Sequence, residues 1–223
     1  MIKKTVALIL LICFCMSFTA CSDIIDVKSN EYGFNDVETG IGYVLCGRAV
    51  YALKVGKVYA RDEYKNEYCE IQFEEPLRFL CDNDIDLPRV YRASGEDDIT
   101  IQNFNPIAAF LYLEGETSLF IDQFIAEPQY TGRYDVPGDS EYTYALRDAM
   151  TTEEPVLFTA PTVDEAVADY IVHIRLLSED YPGLYYEVVF WRDFNGVNYL
   201  LDMNTNYSYL CPYKLTYRLW AES

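Results

Sequence analysis

Near its carboxyl end the chain reads Leu184-Tyr-Tyr-Glu-Val-Val-Phe-Trp-Arg192, then Asp193-Phe-Asn-Gly196, then Val197-Asn-Tyr-Leu-Leu-Asp-Met203. The first and third segments are rich in β-branched and aromatic residues, which favour strands. Asn-Gly adopts the positive φ angles that a type I′ turn requires. The sequence therefore predicts a β-hairpin with a two-residue turn, which pairs Phe190 with Leu201 and Val188 with Met203.

The segments on either side of this hairpin also show periodic patterns. Downstream, apolar residues alternate with polar ones and predict a third strand, at Tyr213, Leu215, Tyr217 and Leu219. Upstream, Thr162 and Glu165 have the spacing of a capping box. Apolar residues then recur at intervals of three and four, at Val163, Val167, Tyr170, Ile171, Ile174 and Leu177. This pattern predicts a long helix over about 163–178, although the β-branched residues near Ile174 also suit a strand.

A helix followed by three antiparallel strands is not the alternating pattern of a parallel α/β fold. In the first half, Glu67–Glu74 alternates between apolar and polar residues, as a half-buried strand does. Further strands are predicted at 42–53, 55–60, 99–104 and 108–113, and a short helix from Ser140 to Met150. Residues 119–125 fit neither period and are left unassigned. The predicted class is α+β: a mainly antiparallel sheet with one long helix packed on it, followed by the hairpin and the third strand.

The amino terminus has the order of an export signal. Lys3 and Lys4 precede an apolar stretch over residues 6–16, and small or polar residues then lead to Ala20-Cys21. The apolar stretch is shorter than the roughly 20 residues that cross a bilayer. A cysteine directly after a small residue makes this segment similar to the signal of bacterial lipoproteins.

The lipoprotein resemblance implies that residues 1–20 are removed and that Cys21 carries the lipid. The protein would then be anchored to the cell membrane on its extracytoplasmic face, and the alternative is a secreted protein. Residues 22–40 are acidic and poor in apolar side chains. The predicted organisation is a signal peptide over 1–20, a lipidated and flexible tether over 21–40, and one α+β domain over 41–223.

Charge excludes several kinds of partner. The chain has 36 acidic and 17 basic residues and a formal net charge of −19 at pH 7. Nucleic acids and other polyanions bind proteins mainly through lysine and arginine, so a nucleic-acid-binding function is excluded. The excess of acid favours solubility alone or, as the alternative, a basic protein partner.

Four cysteines remain outside the signal and the lipidated position: Cys46, Cys69, Cys81 and Cys211. Outside the cytosol an even number of cysteines permits disulfides. The candidate pair is Cys69 with Cys81, because so short a loop closes between neighbouring strands and the bond contributes about 3 kcal/mol. Four buried free thiols are the alternative. No C-x-x-C spacing occurs, so a structural zinc site is not expected.

Catalytic and metal-binding patterns are sparse. His173 is the single histidine, which excludes sites that need two imidazoles, and the predicted helix places it at the edge of the apolar stripe. Asp82, Asp84 and Asp86 resemble the start of a calcium loop, but Leu87 stands where that loop needs glycine. Acid pairs such as Glu74 with Glu75, or Glu114 with Glu116, are compatible with a glycosidase. No catalytic residue, cofactor or metal site is assigned.

The 21 tyrosines give the best indication of function. Tyrosine and tryptophan combine an apolar ring with a polar tip, which suits protein interfaces and stacking on sugars. The candidate aromatic binding surface consists of Tyr185, Trp191, Tyr199, Tyr207 and Trp220. The sequence thus predicts a lipid-anchored extracytoplasmic protein whose acidic, non-catalytic domain binds a basic protein or a glycan. Two alternatives are an envelope hydrolase with paired carboxylates and an inhibitor or immunity-type protein that binds a basic partner.

Overall fold

The computed structural model describes residues 24–30, 32–113, 119–125, 129–130, 135–136, 140–156 and 171–221. Most regular elements in this part of the chain are β-strands. Seven strands form a closed barrel: β1 (Ile25–Asn30), β2 (Gly33–Asn35), β3 (Gly42–Leu45), β5 (Val55–Asp62), β6 (Glu67–Ile71), β7 (Phe79–Asp82) and β8 (Val90–Ala93). The barrel order is β1-β2-β3-β8-β7-β6-β5, and the parallel pairing of β1 with β5 closes it.

Each barrel strand contributes one side chain to a common buried cluster: Val27, Phe34, Tyr43, Ala60, Tyr68, Leu80 and Tyr91. The rings of Phe34 and Tyr43 stack, with 4.8 Å between their centroids, and those of Tyr68 and Tyr91 meet edge to face, with 5.3 Å between theirs. Because side chains alternate along a strand, the next residue of each strand points to the other side of the barrel wall. Neighbouring residues of β6 and β7 are accordingly buried on both sides of the wall.

The remaining long strands form a second sheet. Its members are β4 (Val50–Ala52), β9 (Pro106–Leu113), β10 (Leu119–Ile125), β13 (Val172–Ser178), β14 (Leu184–Arg192), β15 (Asn198–Asp202) and β16 (Tyr207–Leu210). The order is β10-β9-β13-β14-β15-β16. Strand β4 pairs with Leu184–Tyr186 at the start of β14, and β15 pairs with the residues of β14 that follow. Two short strands, β11 (Gln129–Tyr130) and β12 (Asp135–Val136), pair separately. Three helices complete the described elements: α1 (Ile101–Phe104), α2 (Ser140–Thr151) and α3 (Tyr213–Ala221).

One hydrophobic core joins the barrel to the second sheet. The outer wall of the barrel supplies Cys69, Phe79 and Cys81, and the inner face of the sheet supplies Ile174 and Val188. The link is also covalent, since β4 lies between two barrel strands in the sequence but hydrogen-bonds to the sheet. The two sheets therefore pack as one structural unit.

The coarse prediction of a mainly antiparallel β fold with few helices is confirmed, but the long helix is wrong. Residues 163–170 lie outside the described residues, and residues 172–178 form strand β13. Burial along β13 alternates with period two, so that Val172, Ile174 and Leu176 face the core. The β-branched residues near Ile174, which also suited a strand, pack against the core in β13.

Two predicted strands are helices in the structure. Tyr213 to Trp220 belongs to α3, in which Leu215 is buried while Tyr213 and Tyr217 are exposed. Residues 99–104 contain α1, and the backbone N–H of Thr100 donates to the side chain of Asn103 at its start, 2.8 Å away. The predicted short helix at Ser140 is confirmed as α2, and residues 119–125 form strand β10.

The predicted flexible tether is wrong for nine of its twenty residues. Residues 25–30 and 33–35 form β1 and β2, and Val27 and Phe34 are buried in the barrel. Two short strands with few apolar residues can take part in the barrel, because each of them buries only one side chain in its interior. The barrel thus begins within the segment that the sequence assigned to a linker, and Cys21 itself lies outside the described residues.

The hairpin is confirmed, but its register differs by one residue from the predicted one. Phe190 pairs with Leu200, and Val188 pairs with Asp202. The turn has three residues, because Gly196 N–H donates to the Asp193 carbonyl and only Gly196 has a positive φ, +82°. The Asp193 carboxylate accepts hydrogen bonds from the backbone of Asn195 and Val197 and so stabilises the longer turn.

Candidate functional site

A cluster of charged and aromatic side chains lies on the face of the second sheet that points away from the shared core. His173 and Arg175 alternate with the core residues of β13 and therefore project from this outer face. Glu187 on β14 is the direct cross-strand partner of Arg175. The strand pairing thus brings the single histidine, an arginine and a glutamate together.

Glu187 is the buried centre of this cluster. Its side chain is 8% exposed, and its two carboxylate oxygens face different basic groups. The Nδ1 atom of His173 lies 3.0 Å from Oε1, and the Nε atom of Arg175 lies 3.6 Å from Oε2. The His173 contact is a hydrogen bond, whereas the Arg175 contact is an ion pair at a distance too long for a hydrogen bond, so Glu187 holds His173 in place and neutralises Arg175 only in part.

Aromatic rings fix the position of Arg175. Its guanidinium carbon lies 4.5 Å from the ring centroid of Tyr112 and 5.0 Å from that of Tyr185, which are cation–π distances. Tyr51 on β4 stacks on Tyr185, with 5.3 Å between the ring centroids. Burial raises the pKa of Tyr51, and the nearby Glu187 acts in the same direction, so this phenol stays protonated.

A cavity of about 360 Å³ adjoins Arg175 and Tyr185 at the junction between the sheet and the barrel. Its other walls come from the β4–β5 connection and from the loop between β7 and β8. These wall residues are Ala52, Leu53, Lys54, Val55, Asn83, Ile85, Asp86 and Pro88. The volume lies within the range of small-molecule sites.

The structure contradicts the predicted aromatic surface at two of its five residues. Tyr185 and Trp191 are 3% and 2% exposed, because β14 is covered on both faces. Tyr199 is partly buried and stacks on Trp191 at 4.6 Å. Only Tyr207, at 37%, is exposed, and the side chain of Trp220 lies outside the described residues. The surface prediction is therefore wrong for Tyr185 and Trp191, although Tyr185 reaches the cavity wall.

The cluster around Glu187 was missed because His173 was assigned to a helix. On a helix His173 has no relation to Glu187, which lies on the following strand. The useful signal was the alternation of Val172, Ile174 and Leu176 with His173, Arg175 and Leu177. A period of two would have predicted that His173 and Arg175 share one face.

The four described cysteines are free thiols in this structure. Cys69 and Cys81 are direct partners on neighbouring strands β6 and β7, as the short loop between them predicts. Burial raises the pKa of Cys69 to about 11 and that of Cys81 to about 12. The two thiols are adjacent, and the bond between them remains a prediction.

The acidic loop proposed for calcium uses its carboxylates within the protein. Asp82 pairs with Arg89 at 2.7 Å, and Asp84 accepts hydrogen bonds from the backbone N–H groups of Asp86 and Leu87. Within the residues that the structure describes, no group of three metal-ligating side chains occurs.

Of the acid pairs, Glu114 and Glu116 lie outside the described residues, whereas Glu74 is partly buried. Burial raises the pKa of Glu74, and its Oε2 atom has no hydrogen-bond partner among the described groups. Glu74 is not among the residues that line the cavity beside Arg175.

Comparison with known proteins gives no match: no protein-family model, curated protein or solved structure is significantly similar to this chain. In the described part of the chain, no helix is both long and apolar enough to cross a bilayer. The functional assignment therefore depends on the residues of the chain itself.

Proposed function

We propose that this protein is a lipid-anchored extracytoplasmic lipoprotein whose domain is a non-catalytic binding module. The observation that carries the binding function is the Arg175 guanidinium, held between two tyrosine rings on the wall of a cavity. Glu187 lies within 4 Å of both His173 and Arg175, at 3.0 and 3.6 Å, and so helps to hold these side chains on the outer face of the sheet. The membrane anchor is supported by the lipoprotein-like leader that ends at Ala20-Cys21.

The fold adds a constraint to this proposal. Strand β1 begins at Ile25, so that a lipid on Cys21 would be separated from the barrel by only a few residues. At about 3.5 Å per residue, this segment spans at most about 14 Å. The barrel would therefore be held close to the membrane surface.

Intact mass and membrane partition test the anchor. We expect the mature protein to begin at Cys21, to carry the mass of the lipid and to partition into a detergent phase. Cys21→Ser should abolish the lipid mass and the partition. Cys13→Ser, which changes a cysteine inside the leader, is the matched control and should behave as the wild type. An unprocessed amino terminus in the wild type would exclude the lipid-anchored form.

A change at the site tests the binding function separately. Purified wild type coupled to beads should retain a ligand or partner from envelope extract that an Arg175→Gln variant fails to retain. Equal retention by the two proteins would contradict a binding role for this cluster.

A further inference from the structure

Basic side chains are concentrated at the cavity, although the chain as a whole is acidic. In the described residues most other basic side chains pair with carboxylates: Lys57, Arg61, Arg78, Arg89, Arg92, Arg147 and Lys214. Lys54, on the cavity wall, belongs to no ion pair among these residues. Arg175 has only the 3.6 Å contact with Glu187. The cavity wall therefore carries two basic groups and one carboxylate, that of Asp86, so that its basic groups outnumber its acidic one.

The hydrogen-bonding capacity of Arg175 is unused. Within the described residues its nitrogens donate no hydrogen bond, and its Nε atom is buried without an acceptor. A guanidinium has five N–H donors in a planar fork that matches the two oxygens of a carboxylate. Tyr112 and Tyr185 already hold this fork in place, so little conformational entropy is lost when it binds an anion.

Apolar side chains, two of them exposed, also line the cavity. Ile85 is 91% exposed and Leu53 is 44% exposed, and both line the cavity together with Val55 and Pro88. An apolar group bound there would cover these side chains and remove their apolar surface from water, which favours binding. The surface charge of the chain, with a net charge of −19, disfavours ligands that carry several negative charges.

We propose that the cavity binds a small ligand in which one carboxylate is attached to an apolar group. The carboxylate lies against Arg175 and Lys54, and the apolar group packs on Leu53, Val55 and Ile85. This proposal rests on the binding function proposed above for the same cluster and is independent of the lipid anchor. Two sources share this chemistry: the carboxyl end of a peptide and a free organic acid.

Titration of the purified full-length protein in a non-ionic detergent tests this proposal. The probes are N-acetyl-L-leucine, which represents a peptide end, and hexanoate, which represents an organic acid. N-acetyl-L-leucinamide is the neutral control, because it has the same apolar group without the charge. We expect at least one carboxylate to bind and the amide to bind at least about tenfold more weakly, as the loss of a charge-assisted hydrogen bond predicts. The tighter of the two carboxylates identifies the source.

Two variants locate the binding. Arg175→Gln should abolish carboxylate binding, and circular dichroism verifies that the variant is folded. Lys54→Gln changes a side chain that has no described ion pair, and it should weaken binding about three- to tenfold without loss of structure. Lys57→Gln is the matched control, because Lys57 lies outside the cavity and pairs with Glu70, and its affinity should equal that of the wild type.

Three results would overturn the proposal: no binding of either carboxylate at millimolar concentration, equal binding of the amide, or equal effects of Lys54→Gln and Lys57→Gln. The Cys21→Ser protein should retain carboxylate binding, so that failure of the anchor and failure of the ligand proposal are distinguished. Retention of a macromolecular partner on beads, with no carboxylate binding in the titration, would preserve the binding function and exclude this ligand class.

Discussion

The two oxygens of the Glu74 carboxylate have different surroundings. Oε1 accepts a hydrogen bond of 2.9 Å from the backbone N–H of Gly183, whereas Oε2 is buried and has no hydrogen-bond partner among the described residues. Burial is the main cause that raises the pKa of Glu74, and the Gly183 hydrogen bond and Arg78 only partly offset it. The folded protein therefore holds this proton more tightly than the unfolded chain does. The free energy of unfolding must then decrease as the pH rises from the unfolded pKa through the folded one.

Glu74→Gln removes the ionisation and keeps the acceptor for Gly183. We expect the substitution to raise the free energy of unfolding near pH 7, because the wild-type carboxyl must ionise there in a site that disfavours its charge, whereas the amide stays neutral. Below the unfolded pKa of the carboxyl, wild type and variant should be equally stable. Urea unfolding across a pH series measures both effects. Glu38→Gln, at an exposed carboxylate between β2 and β3, is the control, and a uniform difference at all pH values would contradict the titration argument.

At the scale of elements, Gly33 tests whether the segment before residue 40 belongs to the barrel. A Cβ atom at this position would lie 1.9 Å from the carbonyl oxygen of Tyr43 on the paired strand β3. We expect Gly33→Ala to force β2 away from β3 and to lower the free energy of unfolding by about 3 kcal/mol, a value typical of severe overpacking. Thermal unfolding measures it.

Gly95→Ala is the matched control for this prediction. A Cβ atom at Gly95 meets no heavy atom within 4 Å, so the variant should be as stable as the wild type. If Gly33→Ala were also neutral, residues 33–35 would behave as the linker that their composition suggested.

Cys69 and Cys81 supply a second prediction for the barrel strands. In the presence of a disulfide oxidant such as oxidised glutathione, two thiols lose two hydrogens to the oxidant and form one S–S bond. Their direct pairing on β6 and β7 predicts that these two cysteines react with each other during refolding. The raised pKa of both thiols predicts that reaction in the folded state is slow.

Peptide mapping without reduction detects the Cys69–Cys81 bond directly. The free energy of unfolding of the oxidised protein should exceed that of the reduced protein by about 3 kcal/mol, because the bond closes a loop and lowers the entropy of the unfolded chain. Cys46→Ser is the control and should leave the linkage intact. Bonds that involve Cys46 or Cys211 instead would exclude the predicted pairing.

The wrong secondary-structure predictions share one physical cause. The local sequence pattern does not show which neighbouring element of the fold covers a segment. Val172, Ile174 and Leu176 fit a strand because β9 and β14 flank them, yet Ile174 and Leu177 also lie three apart as on a helix. The hairpin at Asp193 was predictable from Asn-Gly. The three-residue length of its turn was not predictable, because it depends on the backbone hydrogen bonds that the Asp193 carboxylate accepts.

The candidate site was less predictable than the strands. Tyr185 is predicted as part of an exposed aromatic surface but is buried, because the sequence does not reveal that β14 is covered on both faces. Arg175 and Glu187 are twelve residues apart in the chain and meet only through the register of β13 and β14. Lys54 and Ile85 reach the cavity from the barrel, which no local pattern indicates.

At the scale of the whole molecule, the barrel and the second sheet share their largest hydrophobic core. Phe79 illustrates the connection: it belongs to barrel strand β7 but is 1% exposed in the core that also contains Val188 and Leu200 of the sheet. Its ring centroid lies 6.0 Å from that of Tyr181, which precedes β14. Because neither half covers this core alone, we expect barrel and sheet to unfold in one cooperative transition.

Phe79→Ala tests this coupling. We expect a loss of about 3–5 kcal/mol in the free energy of unfolding, the usual cost of removing a buried phenylalanine ring. Hydrogen exchange should show the same loss at slowly exchanging amides of barrel strand β7 and of sheet strand β14, because both become exposed in the same opening. Phe73→Ala is the matched control, since Phe73 is 72% exposed and its removal should change stability by less than about 0.5 kcal/mol. Destabilisation of β7 alone, with β14 unaffected, would mean that the two halves unfold independently, and the cavity between them would then open without loss of the sheet.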